Sequence, residues 1–382
     1  MKHIHLIGIS GTGLSAIARL LLEKGYQVSG SDQSCGSLAV ELEQAGARVF
    51  TGHAAANIAG ADLVVRSSAI PDTNVEVIAA QAAGIPVVKR SDFLGQLMKG
   101  HLGIAVAGTH GKTTTTAMLA WVLTCLGQQP SYIIGGVSKN LGNNAHAGGG
   151  LPFVIEADEY DRMFLGLEPD LILVLNAEHD HPDCYPTPAS YRAAFVEFIH
   201  RLRTGGTLLA GFDQPNARGL AAEVLPGSTA RTFGLQPGAD YSAANLKSNT
   251  LGGFSFDMLC HGQALTTVNL QVPGAHNASN ALAVLAAVHQ LHLDVAAAAR
   301  ALQDFSGTGR RFDVLGDANG VTIINDYGHH PTEIAATLSA ARSRYAERRI
   351  WAVWQPHTYS RTQALLHEFS ACFADADEII VT

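Results

Sequence analysis

Seven consecutive residues, Gly108-Thr109-His110-Gly111-Lys112-Thr113-Thr114, set glycines, a lysine and hydroxyls between an apolar run and a helical pattern. Backbone N–H groups of such a turn, with a helix N-terminus behind them, form a cradle for phosphate oxygens. In that arrangement Lys112 contacts the β- and γ-phosphates and the Thr113 hydroxyl reaches Mg²⁺. The general phosphate loop has glycine six positions before its lysine, where this chain has Val106. The loop is therefore a shortened form, G-T-x-G-K-T. A glycine-capped helix start with an exposed lysine is the plainer alternative. The hydrophobic run before the loop and the threonines after Lys112 favour the phosphate reading.

Two further clusters sit where apolar runs end. Glu156-Ala157-Asp158-Glu159 follows FVI, and α/β sheets place ligands at such ends. A carboxylate there suits Mg²⁺ as a hard oxygen ligand. Glu156 is the stronger candidate; Asp158 and Glu159 also read as ordinary strand-end carboxylates. Asn176-Ala177-Glu178-His179-Asp180-His181 follows LILVL. Its histidines could take Zn²⁺, but no cysteine lies at finger spacing, and completion of an Mg²⁺ or substrate site fits better. His179 reads as structural, and His110 either contacts substrate or packs. At the N-terminus Gly8-Ile9-Ser10-Gly11-Thr12-Gly13 also follows an apolar run. Its spacing, G-x-x-G-x-G, is not the dinucleotide pattern and supports a diphosphate-bearing ligand over NAD. Asp32, at the next strand end, is placed to bond a ribose or base.

These groups need strands to carry them and helices to close them. Residues 1–100 alternate short apolar runs with helical patterns, with a helix at 14–24 closed by Gly25, which implies βαβ units around a parallel sheet. A fresh strand near 102 leads into the Gly-Lys-Thr turn and a helix ending near Gly127. FVIEAD, LILVLNA and GTLLAG follow as strands, with a helix at 191–201. After Gly234 the segments become short and turn-rich, which predicts antiparallel strands added to the sheet, then helices at 277–291 and 295–305. A third alternating pattern opens with VTIINDY, a helix at 332–345, RIWAVWQP, a helix at 361–373 and EIIVT. Trp351 and Trp354 fall in period with valine and are expected in the core. His289 and His292 are expected on the surface.

Composition narrows the classes. The chain has 382 residues, 47% hydrophobic and 15% charged, with a net charge of −8. That argues against disorder and against a general nucleic-acid binder, which needs a clustered basic surface. The 39 glycines show no three-residue period, which excludes collagen. Five scattered cysteines without C-x-x-C spacing read as free thiols of a reducing cytosol. No apolar run reaches membrane-spanning length, and the start does not read as a signal peptide. A cytoplasmic enzyme of two or three domains is expected.

The combination resembles the Mur ligase superfamily. The resemblance is carried by GISGTG with GSD, SSAI (Ser67–Ile70), AGTHGKTTTT, EADEYD, DHPD (Asp180–Asp183), PGAHNASNALA (Pro273–Ala283), GTGRRFD (Gly307–Asp313), DYGHHPTE (Asp326–Glu333) and QPHTYSRT (Gln355–Thr362), in family order across nearly the whole chain. The last two point to the alanine-adding branch over the muropeptide-recycling relative, which adds a tripeptide. The resemblance implies three α/β domains: a Rossmann-like UDP-binding domain over 1–100, a central phosphate-loop ATP-binding domain with added antiparallel strands over 101–312, and part of a C-terminal Rossmann-like domain over 313–382. It implies ATP-dependent ligation of L-alanine to the lactyl carboxylate of UDP-N-acetylmuramate through an acyl phosphate, with ATP and Mg²⁺ as cofactors.

Residue by residue, it implies that Gly108, Thr109, His110, Gly111, Lys112, Thr113 and Thr114 hold the ATP phosphates. Thr113 and Glu156 hold Mg²⁺, His181 helps to hold a second Mg²⁺, and His276, Asn277 and Asn280 line the adenine side. Arg311, preferred to Arg310 because it precedes the phenylalanine of the family pattern, reaches the γ-phosphate, and Asp326 reaches the ribose. Gly8, Ser10, Gly11, Thr12, Gly13, Asp32, Ser67 and Ser68 bind the UDP substrate. His329 and His330 fall near the cleft without an assigned role. No lysine occurs between His181 and Leu202, so the carbamylated lysine ligand of several relatives is not expected. The family's third domain continues past EIIVT, so the L-alanine pocket and part of the closing surface are expected to be missing, leaving a nucleotide-binding module without turnover as the alternative. Oligomeric state stays open between monomer and homodimer.

Overall fold

A computed structural model describes residues 2–382. The N-terminal unit is a five-stranded parallel sheet in the order Arg48–Thr51, Gln27–Asp32, His3–Ile7, Leu63–Arg66, Val87–Lys89. His3–Ile7 is buried along its whole length, as a central parallel strand covered on both faces must be. The helix Thr12–Glu23 seals one face with Leu14, Ile17, Leu20 and Leu21. The strand order reverses beside His3–Ile7, so the loop Gly8–Gly13 opens at the switch point where such sheets bind ligands.

The middle unit is a ten-stranded sheet. At its heart Leu102–Ala107 lies between Pro152–Glu156 and Leu171–Val174, all parallel. The ends of these neighbouring strands carry the phosphate loop, the Glu156 cluster and the Asn176–His181 segment, so chain crossovers bring together what the sequence keeps apart. Thr207–Gly211 and Thr229–Gly234 extend the sheet in parallel, and Tyr241–Ser248, Phe254–Cys260 and Gln263–Asn269 finish it as the expected antiparallel meander. The helices Lys112–Cys125 and Ala275–Gln290 pack their apolar faces onto one side of this sheet.

The third unit holds an antiparallel hairpin, Asp313–Ala318 with Val321–Asn325, a parallel pair, Trp351–Trp354 with Glu378–Val381, and the helix Pro331–Arg344. Three expectations need correction here. Asp313–Ala318 is a strand the sequence reading did not identify, although Asn319-Gly320, both at positive φ, is a strong two-residue hairpin signal. The single helix expected over 361–373 is two, Tyr359–Ala364 and Leu366–Ala371, broken at Leu365 (φ −114°, ψ 26°). The break lets Arg361 turn into the middle unit while Phe369 stacks on Trp354. Trp351 is 56% exposed instead of core, because the face of its two-stranded sheet is open. His289 also differs from expectation: its Nδ1 lies 2.8 Å from the Tyr241 hydroxyl and it is half-buried, whereas His292 is exposed.

Candidate functional site

The loop Gly108–Lys112 is held open by its own conformation. Gly108 (φ +144°) and Gly111 (φ +82°) take backbone angles that L side chains rarely adopt, and a Cβ on Gly111 would lie 2.8 Å from Asn280 Oδ1. Asn176 clamps the loop from the neighbouring strand: its Oδ1 accepts from the His110 N–H (2.8 Å) and its Nδ2 donates to the His110 carbonyl (3.0 Å). Thr109 Oγ1 donates to the Glu178 carbonyl (2.7 Å) and lies 2.9 Å from the Tyr191 hydroxyl. Sequence reasoning gave Asn176 and Tyr191 no role.

Lys112 donates to Glu159 (2.7 and 3.0 Å) and to the Gly108 carbonyl (2.6 Å). Burial opposes its charge, but Glu159 and Asp158 outweigh burial and raise its pKa. Burial likewise opposes the Glu159 carboxylate, and Lys112 with His181 hold its pKa below the ordinary range. Glu159, a secondary candidate in the sequence, is thus the direct partner of the lysine.

Glu156 Oε1 accepts from Thr113 Oγ1 (3.0 Å) and Oε2 from the Gly135 N–H (2.7 Å). Any Cβ at Gly135 would fall 2.5 Å from that carboxylate, so only glycine allows the approach. Burial raises the pKa of Glu156 and, with repulsion from Glu159, that of Asp158. Clustered carboxylates under such pressure, with a hydroxyl among them, make the hard oxygen donor set that Mg²⁺ takes. His181 stands on the other side of Glu159, its Nε2 3.5 Å from Glu159 Oε1, and at φ +54°.

The third unit closes over these groups. Arg361 donates to both carboxylate oxygens of Asp180 (2.7 and 3.2 Å), and both side chains are almost fully buried. Burial opposes the Asp180 carboxylate, yet Arg361 and His181 hold its pKa well below the usual range. Thr332 Oγ1 donates to Glu178 Oε2 (2.8 Å). His110 sits between Glu178 (Nε2, 3.0 Å) and Glu333 (Nδ1, 3.5 Å). Burial disfavours its charge, but the two carboxylates win and raise its pKa to about 9. Arg311 lies 3.2 Å from Glu333, and Asp326 Oδ2 accepts from the Phe312 N–H (2.8 Å). Arg310 is instead exposed, stacked 4.1 Å from the Tyr327 ring. Glu178, Glu333, Asp180 and Arg361 all lie inside the motifs singled out in the sequence. Only contacts between units reveal what each one touches.

A cleft of about 470 Å³ runs between the two units, lined by His110, Gly111, Thr113, Asn280, Arg311 and Asp326 among others. His276, Asn277 and Thr114 line it too. Asn277 donates to the Pro273 carbonyl and accepts from Asn280, which fixes both amides beside the loop. His179 is structural, its Nε2 2.7 Å from the Tyr185 carbonyl.

At the N-terminal loop the Gly8 and Ile9 N–H groups donate to the Ser31 carbonyl, and the Ser10 N–H donates to Asp32 Oδ2 (3.0 Å). Asp32 therefore braces the loop as well as standing at its mouth. Gly11 and Thr12 are exposed, Gly13 is half-buried, and Ser67 packs under Gly8 with Ser68 exposed beside it. Arg90 lies across Gly13, where a Cβ would collide with its guanidinium, and forms no ion pair among the described residues. Its sulfur neighbour is Met163.

Comparison with known proteins returns one family along the chain. Residues 3–102 match the Mur ligase family catalytic domain, 106–288 the Mur ligase middle domain and 310–382 the Mur ligase glutamate ligase domain. Relatives named UDP-N-acetylmuramate–L-alanine ligase from Geobacter sp. (strain M21) and Chlorobaculum tepidum are each 44% identical; both alignments cover 100% of this chain, and 82% and 80% of those proteins. Among solved structures, a UDP-N-acetylmuramate–alanine ligase from Thermotoga maritima superposes with a TM-score of 0.86 at 29% identity, over 100% of this chain and 85% of that one. A UDP-N-acetylmuramate:L-alanyl-γ-D-glutamyl-meso-diaminopimelate ligase from Neisseria meningitidis gives 0.74 at 31% identity, over 81% of this chain and 100% of that one.

Proposed function

The chain belongs to the Mur ligase family, and from that premise we propose how its cleft uses ATP to join an amine to a carboxylate. The activity is the addition of L-alanine to UDP-N-acetylmuramate. A carboxylate is a poor acyl donor, so one lactyl oxygen attacks the γ-phosphorus, the bond to ADP breaks, and an acyl phosphate forms. The alanine amine then attacks the acyl carbon, phosphate leaves with the oxygen it received, and the amine sheds a proton.

Loop N–H groups around Gly111, with Lys112 and Arg311, hold the phosphates and neutralise charge that builds in the transition state. On ATP binding Lys112 exchanges part of its contact with Glu159 for phosphate. Asn277 and Asn280 flank the base, and Asp326 faces the ribose. Thr113 and Glu156 would hold one Mg²⁺ and His181 would help to hold a second, and the bound ions would offset the phosphate charge that repels the incoming carboxylate. The N-terminal loop with Asp32 and Ser67 holds the UDP end of the substrate. Both nucleotide substrates accord with a cytoplasmic reaction, and no helix among the described residues is long and apolar enough to cross a membrane.

The observation that carries this reading is the adjacency of three strand ends bearing the loop, Glu156 and Asp180, with the third unit latched onto them through Arg361. Phosphate release measured with each component omitted in turn tests it. Release should need UDP-N-acetylmuramate, Mg²⁺, ATP and L-alanine together. Release with a tripeptide but not with alanine would assign the chain to the recycling reaction instead.

A further inference from the structure

His110, Glu178 and His330 come from three separate segments and two units, yet one ligand atom from each lies within 4.8 Å of the others. The His110 and His330 rings stand 4.6 Å apart between centroids, and Glu178 Oε2 is 3.0 Å from His110 Nε2 and 3.9 Å from His330 Nδ1. His330 is about nine-tenths buried; the Nδ1 that faces Glu178 accepts the helix-capping bond from the Thr332 N–H (3.3 Å), which a cation on that nitrogen replaces, and its Nε2 has no hydrogen-bond partner among the described residues. Behind His110, Glu333 faces the far ring nitrogen at 3.5 Å. A carboxylate behind a ligating imidazole is the usual support of a metal-bound histidine, fixing its tautomer and orientation.

We propose that His110, Glu178 and His330 form an inhibitory site for a borderline-soft divalent cation, Zn²⁺, separate from the Thr113–Glu156 position. Two imidazoles and a carboxylate are a Zn²⁺ donor set, with the fourth tetrahedral position open to water. Mg²⁺ prefers oxygen ligands and does not compete well for it. The cation replaces the proton on His110 Nε2 that the contact with Glu178 carries, and that proton leaves to solvent. His330 belongs to the third unit and the other two ligands to the middle unit, so the bound ion staples the cleft shut. Because His110 is part of the loop, Zn²⁺ and ATP exclude one another; this clause alone rests on the ATP reading above.

The test is Zn²⁺ titration by calorimetry, without nucleotide and with Mg²⁺ in excess. The full chain carries Cys35→Ser and Cys125→Ser, which remove its exposed thiols. One Zn²⁺ per chain is expected. His330→Asn keeps a good helix N-cap while deleting the imidazole, and Glu178→Gln removes the carboxylate. Loss of a mere supporting group at a metal site costs 10–100-fold in affinity, so each variant should bind at least about tenfold more weakly. Co²⁺ in place of Zn²⁺ should give a tetrahedral visible absorption that His330→Asn abolishes. Unchanged Zn²⁺ affinity in both variants, with unchanged melting, overturns the proposal, as does no binding by the parent. Binding that depends on these residues but is not displaced by ATP supports the metal site and counts against the phosphate-loop reading.

Discussion

Replacing Arg361 by methionine isolates the latch between the third unit and the strand ends. The side chains of Arg361 and Asp180 are 4% and 2% exposed and share two hydrogen bonds, and Arg361 also approaches His181 Nδ1 at 3.3 Å. Removing one partner of such a buried pair leaves the other charged and desolvated, at a cost of about 3–5 kcal/mol. Asp180 can escape that cost by opening the cleft to water, so the loss falls on closure more than on the fold of the middle unit. At about 1.4 kcal/mol per factor of ten, closure and with it kcat/KM should fall roughly two to three and a half powers of ten. The assay is steady-state phosphate release beside calorimetric melting. Asp180→Asn combined with Arg361→Met should do better than the two single losses added together, because no buried charge is then left alone. A single variant within about threefold of wild type, or a strictly additive double variant, would refute the latch.

Lys112→Met should reduce turnover at least about a hundredfold, the scale of losing one preorganised charge donor. Adding Glu159→Gln should recover melting temperature but not turnover, since it removes the stranded carboxylate. Asp32→Ala deprives the Ser10 N–H of a charged acceptor, a loss of about 1.5–3 kcal/mol. The KM for UDP-N-acetylmuramate should rise while kcat holds. His110 has its folded pKa raised to about 9, so its ionic contribution is complete below the ordinary histidine value near 6.5 and is lost as pH rises through about 9. The melting difference between wild type and His110→Gln should accordingly be widest near pH 6 and shrink by pH 9.5; a constant difference would show that the imidazole is not charged there.

Much of this architecture is legible in the sequence because its signals are local. Apolar runs followed by glycine turns mark the central strands, and the loop at Gly108–Thr114 declares its chemistry through residue types alone. The antiparallel meander after Gly234 is also readable, from short polar–apolar runs. What eludes a linear reading depends on contacts across the chain. Glu159 looks like any strand-end carboxylate until the fold brings it against Lys112. Asp180 and Arg361 stand 181 residues apart, and no periodicity pairs them. Trp351 keeps strand period with its neighbours, but period does not say whether anything covers the face. The helix break at Leu365 arises because Arg361 and Phe369 serve two different surfaces, a tertiary demand that overrides local helical preference.

If the lactyl carboxylate attacks the γ-phosphate of ATP within the Gly108–Thr114 loop, one of its oxygens must leave with the phosphate. UDP-N-acetylmuramate labelled with ¹⁸O in that carboxylate, incubated with ATP, Mg²⁺ and L-alanine, tests this directly by mass analysis of the released phosphate. Each alanine joined should deliver one labelled oxygen to phosphate, and Lys112→Met should slow the transfer at least about a hundredfold. Phosphate released without label while the alanyl product accumulates would contradict the acyl-phosphate route and the role assigned to this loop.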